Sequence, residues 1–527
     1  MLTFPQIVTL PYPLLLQKTA REALDISLHD HVIIIDEAHN LMDAISAMYS
    51  ASITMRQLEL GRAQLMLYLQ KFRNRLKGKN RVYVTQIVRV IDSLINFLKI
   101  NDHTSSVVPV TDLLAGKGVD QINMFKLSKY IQESRLARKA DGYVTFAETQ
   151  EQKETNGKDL SAPKERSTPV LTLIENFLMA LMNPSKEGRF FRTKQDHDQG
   201  MGLQYMLLDP TFHFREIVDE ARAVILAGGT MSPMGDYIKH LFSYVPQDRI
   251  MTLSCNHVIP SSNLLAWSIS QDSQGNEFNF TFQNRNSSAA IQSAGRTLLE
   301  LIEVIPDGAV AFFSSYSYLD ACVKGWKQSS TSGPSLWQRL NACKLVFLEP
   351  RSGGAADTAS TKQAKTGPAA TEALLASYAA TINDSSTHQG ALLLSVINGS
   401  LSEGINFSDR LGRAVIVFGL PFPNPHSPEC KAKMEYIASK EASAALGKAA
   451  AQEFYEDATM RAVNQAVGRA IRHKDDYASI YLVDRRYGSE RIRGKLPGWI
   501  RGSLKGAKSM DEVLNGTKDF FASKSSV

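Results

Sequence analysis

His31-Val32-Ile33-Ile34-Ile35-Asp36-Glu37-Ala38-His39-Asn40 sets a short apolar run directly against two acids. An unbroken run of β-branched residues fits a strand buried on both faces, as in a parallel sheet. Ligands of open parallel sheets sit beyond the carboxyl ends of the strands. There Asp36 can hold magnesium, usually through water, and magnesium bridges phosphate oxygens. Glu37 beside it can orient and deprotonate an attacking water. His39 could link the site to a neighbouring segment. The plainer alternative is a pair of surface acids at a strand end, because short motifs recur by accident.

Outward from this stretch, residues 46–200 read as helical. Leu58, Leu65, Leu69, Phe72 and Leu76 recur at helical spacing, and so do Ile87, Ile91, Leu94, Ile95 and Leu98. Thr149–Ser167 is polar and charged and reads as a loose loop. Beyond about residue 200, strand-like runs return at 223–226, 264–269, 309–313, 345–348, 391–396, 414–418 and 479–483, separated by helical patterns. Alternating strand and helix texture predicts an α/β fold with mostly parallel sheets. Residues 351–371, rich in Gly, Ala, Ser and Thr, read as a flexible insertion.

The second chemical signal is Gln465-Ala466-Val467-Gly468-Arg469-Ala470-Ile471-Arg472. A helix over 457–473 would put Met460, Val463, Val467, Ala470 and Ile471 on one apolar face. Gln465, Arg469 and Arg472 would share the opposite face. Two guanidiniums and an amide presented together suit triphosphate recognition and the charge of its transition state. An exposed basic helix face is the bland alternative. Gly468 permits close approach of another backbone. Two weaker turns accompany it. Ala227-Gly228-Gly229-Thr230-Met231-Ser232-Pro233 carries hydroxyls that can relay between sites. Ser402-Glu403-Gly404-Ile405-Asn406-Phe407 could touch ribose, phosphate or a nucleic-acid backbone, although such turns are usually just turns.

Bulk properties permit this chemistry without demanding it. The chain has 527 residues, 43% of them hydrophobic, and a formal net charge of +6. That length implies two or three domains, and the mild basic excess permits a polyanionic partner. Four cysteines, Cys255, Cys322, Cys343 and Cys430, lie far apart with no C-x-x-C pair. This argues for reduced thiols and against a disulfide frame or a local zinc site. The first twenty residues lack a basic start and a cleavage site, so a signal peptide is not expected. No apolar run is long enough to span a bilayer.

In order along the chain, Asp36-Glu37-Ala38-His39-Asn40, the Gly-Gly-Thr-Met-Ser-Pro turn, Ser-Glu-Gly-Ile-Asn-Phe and Gln-x-x-Gly-Arg-x-x-Arg resemble motifs II, III, V and VI of the XPD-like iron–sulfur DNA helicases. Gly419-Leu420-Pro421-Phe422-Pro423-Asn424 and Gly494-Lys495-Leu496-Pro497-Gly498-Trp499-Ile500 resemble the chromosome-loss branch, associated with sister-chromatid cohesion. The resemblance implies two RecA-like domains, the first incomplete, with a helical arch inserted in the first. It implies a remnant of the first domain at 1–45, the arch at 46–205, a return to the first domain at 206–255, the second domain at 256–510 and a tail at 511–527. It further implies ATP and Mg2+ in the cleft, with Asp36 on magnesium and Glu37 on water. Arg469 and Arg472 would reach the γ-phosphate, with Gln465, Gly468 and His39 around the nucleotide. Gly229 and Thr230 would couple the site to DNA, and Glu403, Gly404 and Asn406 would line the second domain's side. ATP-driven 5′-to-3′ translocation on single-stranded or forked DNA follows, together with cohesion or replication partners, a role in DNA repair and a nuclear location.

One departure outweighs the matches. The chain contains no Gly-x-Gly-Lys-[Ser/Thr] loop, whose backbone N–H groups would cradle phosphates. The family's four cluster-ligating cysteines should precede motif II, yet no cysteine occurs before Cys255. Both point to a start inside a larger ancestral protein. A smaller departure is Asn398-Gly399-Ser400, where many relatives carry a basic residue. A catalytically dead DNA- or partner-binding fragment is therefore the competing reading, and an RNA helicase a third. Candidate DNA contacts are Lys71, Arg73, Arg75, Lys77, Lys79 and Arg81, and a tail group of Arg491, Arg493, Lys495, Arg501, Lys505 and Lys508. The first run equally suits a nuclear-import signal or a solvated helix end. Trp499 and Tyr316 are candidate base platforms, although such a Trp more often packs on its own domain. Phe312 and Phe313 read as core.

Overall fold

The computed structural model describes residues 7–76, 78–100, 107–116, 118–140, 142, 169–184, 186–194, 200–255, 259–328, 333–350, 368–384, 390–399, 401, 407, 409–471 and 473–525. In chain order the strands are β1 (Val32–Ile35), β2 (Ala51–Thr54), β3 (Val107–Val108), β4 (Gly188–Lys194), β5 (Met201–Leu207), β6 (Ala223–Leu226) and β7 (Leu264–Ile269). They continue with β8 (Gly308–Phe313), β9 (Leu345–Leu348), β10 (Ala391–Val396), β11 (Ala414–Phe418), β12 (Ala478–Val483) and β13 (Leu504–Gly506). Two helices matter for the site: α1 (Gly235–Leu241) and α2 (Ala444–Val467).

The second half is a seven-stranded sheet in the order β13-β7-β12-β11-β8-β10-β9. All of its neighbours pair in parallel. Every residue of β7, β8, β10, β11 and β12 is buried, which is why these strands read as unbroken apolar runs. The two-residue pleat sends alternate side chains to opposite layers. Ala309, Ala311 and Phe313 enter one core with Ile416 and Phe418. Val310 and Phe312 enter the other with Val415, Val417, Met460 and Val463. Burying each such large side chain contributes about 1.5–3 kcal/mol. β13 escapes a sequence reading because it is three residues long.

The first half holds a smaller parallel pair, β1 with β6, in register from Val32 opposite Ala223 to Ile35 opposite Leu226. Its two faces differ. Ile35 is buried, whereas Val32 is 51%, Ile34 67% and Ile225 48% exposed. β1 is thus one-sided among the described residues, not buried on both faces as its composition suggests.

Residues 46–205 are not purely helical. Helices Met55–Lys71, Gly78–Lys99 and Val170–Ala180 are present, but they pack on a four-stranded antiparallel sheet ordered β2-β5-β4-β3. Its strands evade the apolar-run criterion because polar and charged residues interleave, as in Arg189-Phe190-Phe191-Arg192-Thr193. Arg192 is buried and donates from Nη2 to Leu98 O at 2.7 Å, capping the helix Gly78–Lys99 with a cation at its negative end. Gly188 is required beside it, since a Cβ there would lie 2.3 Å from the Tyr205 hydroxyl. The loose loop expected at 149–167 and the insertion at 351–371 fall largely or wholly outside the described residues.

Candidate functional site

The loops that leave β1 and β6 stay zipped beyond the strands. Ala227 N donates to Ile35 O, and Ala38 N donates to Ala227 O, each at 2.9 Å. The acids therefore stand beside the Gly228-Gly229-Thr230 turn at the carboxyl end of the sheet. Asp36 Oδ1 accepts from the Glu37 N–H at 2.9 Å, and Glu37 adopts a left-handed φ of 47°. That conformation is uncommon for a residue with a side chain and turns the chain sharply. Both carboxylates remain exposed, with the Glu37 side chain at 63%. Asp36 thus offers the hard oxygen donor that Mg2+ takes, at a strand end where a phosphate could approach. The Tyr12 hydroxyl donates to the Asp36 carbonyl. Burial, with the Asp36 and Glu37 charges behind it, raises the Tyr12 phenol above its ordinary value and keeps it a donor.

His39 joins the acids to the turn. Its ring is largely buried, and Nδ1 lies 3.2 Å from Glu37 Oε2 and 3.3 Å from Thr230 Oγ1. The Tyr237 hydroxyl donates to the His39 carbonyl at 3.4 Å. Burial pushes the Tyr237 phenol up to about 12. Gly228 packs closely, since a Cβ there would meet Met231 at 3.3 Å and the Ala38 nitrogen at 3.5 Å. A Cβ on Gly229 would face open space.

The second domain meets this turn through the end of α2. The helix expected to run through residue 473 ends at Val467, with Gly468 as its cap. The Arg469 and Ala470 N–H groups reach back only three residues, to Ala466 O at 3.4 Å and Val467 O at 3.2 Å. The last turn tightens and the chain leaves the axis, as helix ends often do. Arg469 therefore does not share a helix face with Gln465, although both are partly exposed. The apolar side holds: Met460, Val463, Val467, Ala470 and Ile471 are all buried. A Cβ on Gly468 would lie 3.3 Å from Thr230 Cγ2, so the glycine lets the turn and the bend touch. The structure thus brings Glu37, His39, Thr230, Gly468 and Arg469 into one continuous chain of neighbours. Arg472, Glu403, Gly404 and Asn406 lie outside the described residues; Phe407, next to Asn406, is buried in the second core.

The other candidates separate cleanly. Lys71, Arg73, Arg75, Lys79 and Arg81 are exposed around the turn between two helices, and Lys77 lies outside the described residues. Tail cations are largely engaged: Arg491 pairs with Glu456 at 2.8 Å, Lys495 with Asp457, and Lys505 lies over Trp267. Trp499 packs against the second core, and Phe312 and Phe313 are fully buried. Tyr316 donates its hydroxyl to Glu349 at 2.9 Å. The cysteines form no cluster-binding set: burial drives Cys322 up to about 12 and also raises Cys343 and Cys430, while Cys255 is exposed. The residues present do not fit an iron–sulfur group. Sequence reasoning missed Arg461, Asn464 and Asp236, all at the domain boundary; a polar stripe at helical spacing along 453–468 was the available signal.

Known proteins resemble this chain in sequence and fold. Residues 298–503 match the model of a helicase C-terminal domain, and residues 1–58 match the DEAD_2 model. The chain is 49% identical over 514 residues to "ATP-dependent DNA helicase chl1" of Aspergillus clavatus, covering 95% of this chain and 67% of that relative. The chain belongs to the chl1 family of ATP-dependent DNA helicases. Its match to the Aspergillus niger relative of the same name is 49% identical and covers 99% of this chain but 59% of the relative. The Schizosaccharomyces pombe relative is 41% identical, with 98% and 60% covered. The chain thus spans about half to two-thirds of the length of the curated relatives it matches. Among solved structures, "Structure of S. tokodaii Xpd4" aligns over 94% of this chain and 81% of that one, with a TM-score of 0.51 at 16% identity. "XPD_Helicase" aligns over 94% and 72%, with a TM-score of 0.50 at 16% identity. These likenesses carry the fold: an α/β chain with the two RecA-like domains of XPD. No helix among the described residues is long and apolar enough to cross a membrane.

Proposed function

We propose that this chain carries the hydrolytic acids and the second motor domain of an ATP-driven DNA helicase. Asp36 holds Mg2+ of a bound nucleoside triphosphate, and Glu37 orients the attacking water. Arg469, with Arg472 beside it, neutralises the phosphate charge that grows in the transition state. Gln465, Gly468, Glu403, Gly404 and Asn406 line the second domain's side. His39, Gly229 and Thr230 pass the state of the nucleotide to the DNA path. Turnover then drives 5′-to-3′ movement on single-stranded or forked DNA, in the nucleus, serving sister-chromatid cohesion, chromosome segregation and repair alongside cohesion and replication proteins.

The observation that supports this reading most is the contact of the turn with the bend. Thr230 reaches His39 on one side and Gly468 on the other. The test is phosphate release by the purified chain with single-stranded DNA. Glu37→Gln and Arg469→Ala should each lower turnover at least about a hundredfold. Turnover equal to wild type in both variants overturns the assigned roles. Matched DNA and RNA duplexes decide the strand chemistry.

One observation favours a second reading, a DNA- or partner-binding module without turnover: the chain has no Gly-x-Gly-Lys-[Ser/Thr] loop. That reading predicts single-stranded DNA binding by fluorescence anisotropy with phosphate release no higher than in Arg469→Ala.

A further inference from the structure

One stripe of α2 faces the first domain. Glu453, Asp457, Arg461, Asn464 and Gly468 follow at intervals of four, four, three and four residues, which stacks them along a single helix face. The segment from the turn into α1 runs antiparallel along it. Lys239 Nζ lies 2.8 Å from Glu453 Oε2, and Arg461 Nη1 pairs with Asp236 Oδ2. Asn464 Nδ2 donates to Ser232 O at 3.1 Å, and Gly468 admits Thr230. Descending numbers on one side thus meet ascending numbers on the other at four points, while Asp457 in the same stripe pairs with Lys495.

The pairs differ in weight. Lys239 and Glu453 are both about half exposed, and such a rim pair contributes little. Asp236 is buried and Arg461 only 14% exposed, so a shift by one turn, which would set the Asp236 carboxylate against Asp457 or Asn464 in place of the guanidinium, is far costlier. Asn464 is fully buried, and its Nδ2 also donates to Lys495 O at 3.0 Å. Its Oδ1 has no partner among the described residues, yet flipping the amide would lose both donations. The unmet acceptor is the cost of bridging two segments at once.

We propose that Arg461 and Asn464 are positioning residues that set the register of residues 230–239 on α2 and so hold Thr230 against the Gly468–Arg469 bend. Only the catalytic consequence rests on the proposed helicase reading. Slippage would carry Thr230 off the bend and uncouple the acids' loop from Arg469.

Hydrogen exchange of the full chain tests the register. Arg461→Asp and Asp236→Arg should each speed exchange across residues 229–241 and 460–470 by about tenfold, and the double variant should restore it to within about threefold. Asn464→Asp, which loses both donations, should expose the same two segments. Arg461→Lys keeps the charge but loses the fork, and guards against failure to fold. It should exchange faster in those segments while residues 308–313 stay protected as in wild type. Unchanged exchange in the Arg461→Lys segments, or a double variant no better than the singles, overturns the proposal. Where the chain turns over ATP, the single variants should lower DNA-stimulated kcat with KM for ATP within about twofold. Absent turnover in wild type with the exchange pattern intact would sink the helicase reading and leave the register standing.

Discussion

Thr230 Oγ1 lies 3.3 Å from His39 Nδ1, and the Thr230 methyl carbon lies 3.3 Å from where a Gly468 Cβ would sit. One side chain thus uses its hydroxyl toward the acids' loop and its methyl toward the other domain. Thr230→Val separates these uses, because it keeps the packing and removes the hydroxyl. DNA-stimulated turnover should fall about tenfold with KM for ATP within about twofold. Steady-state phosphate release with and without single-stranded DNA checks this; an unchanged kcat means that the hydroxyl relays nothing.

Gly468→Ala probes the methyl side of the same contact. The added carbon would lie 3.0 Å from Asn464 O and 3.3 Å from Thr230 Cγ2, so the turn must give way by a few tenths of an ångström. The expected result is a loss of DNA-stimulated turnover of about tenfold or more, with the unfolding midpoint nearly unchanged. A variant destabilised throughout, with kcat preserved, would show the contact to be packing alone.

Glu349 organises the loop that leads into residues 402–406. Its buried carboxylate accepts from the Tyr316 hydroxyl at 2.9 Å, Ser395 Oγ and Val396 N at 2.8 Å, and Leu401 N at 2.9 Å. Glu349→Ala would strand these donors, each costing about 1–3 kcal/mol when left buried and unpaired. The second domain should lose about 3 kcal/mol or more, read as a lower urea midpoint. A change below about 1 kcal/mol would mean that water replaces the carboxylate there.

These residues also mark where sequence could be read and where it could not. The parallel strands announce themselves because burial on both faces forces unbroken runs such as Ala391–Val396. The acids and Thr230 were legible because their chemistry sits at strand ends. The antiparallel sheet was not, because Arg189, Arg192 and Lys194 interrupt the apolar alternation of β4, and burial of Arg192 is decided by a helix end far away in sequence. The sequence runs α2 past its true end, because Gly468 reads there only as a site of close approach. Its capping role depends on the bend that Thr230 occupies. The polar stripe along 453–468 marks Arg461 as facing something, but its partner Asp236 carries no local signal and lies 225 residues away.

The open face of the β1–β6 pair makes a prediction about association. Val32, Ile34 and Ile225 are all about half exposed or more on one face, and among the described residues the outer edges of the two strands are unpaired. Exposed apolar strands template pairing with other chains. Ile34→Thr with Ile225→Thr should lower concentration-dependent association by sedimentation velocity while leaving the unfolding midpoint within about 0.5 kcal/mol. Unaltered association would mean that this face is not where copies meet.

Acid should loosen the domain boundary before it touches most carboxylates. Burial, followed by the charges of Lys440, Lys433, Lys239 and Arg461, lowers His240 from its ordinary 6.5 to about 4. Burial also lowers His213, which stacks on Tyr49. A histidine depressed in the folded chain binds its proton sooner when unfolded. Stability is therefore fully present above 6.5 and drains as pH falls from 6.5 toward about 4. Asp209 and Asp272, with ordinary values of 3.8 and lowered in the fold, add their own loss only at lower pH. Between pH 6 and 5 the two histidines should thus pull the urea midpoint down, against the opposite pull of Glu175, Glu187 and Asp457, whose carboxyls burial raises. His240→Gln should remove part of the histidines' pull and His213→Gln part of the rest, with little change at pH 8. Because His240 lies on α1 against Phe454 of α2, the His240 share should appear first as faster exchange across residues 229–241. An equal slope in wild type and the double variant would mean that neither ring is held neutral by the fold.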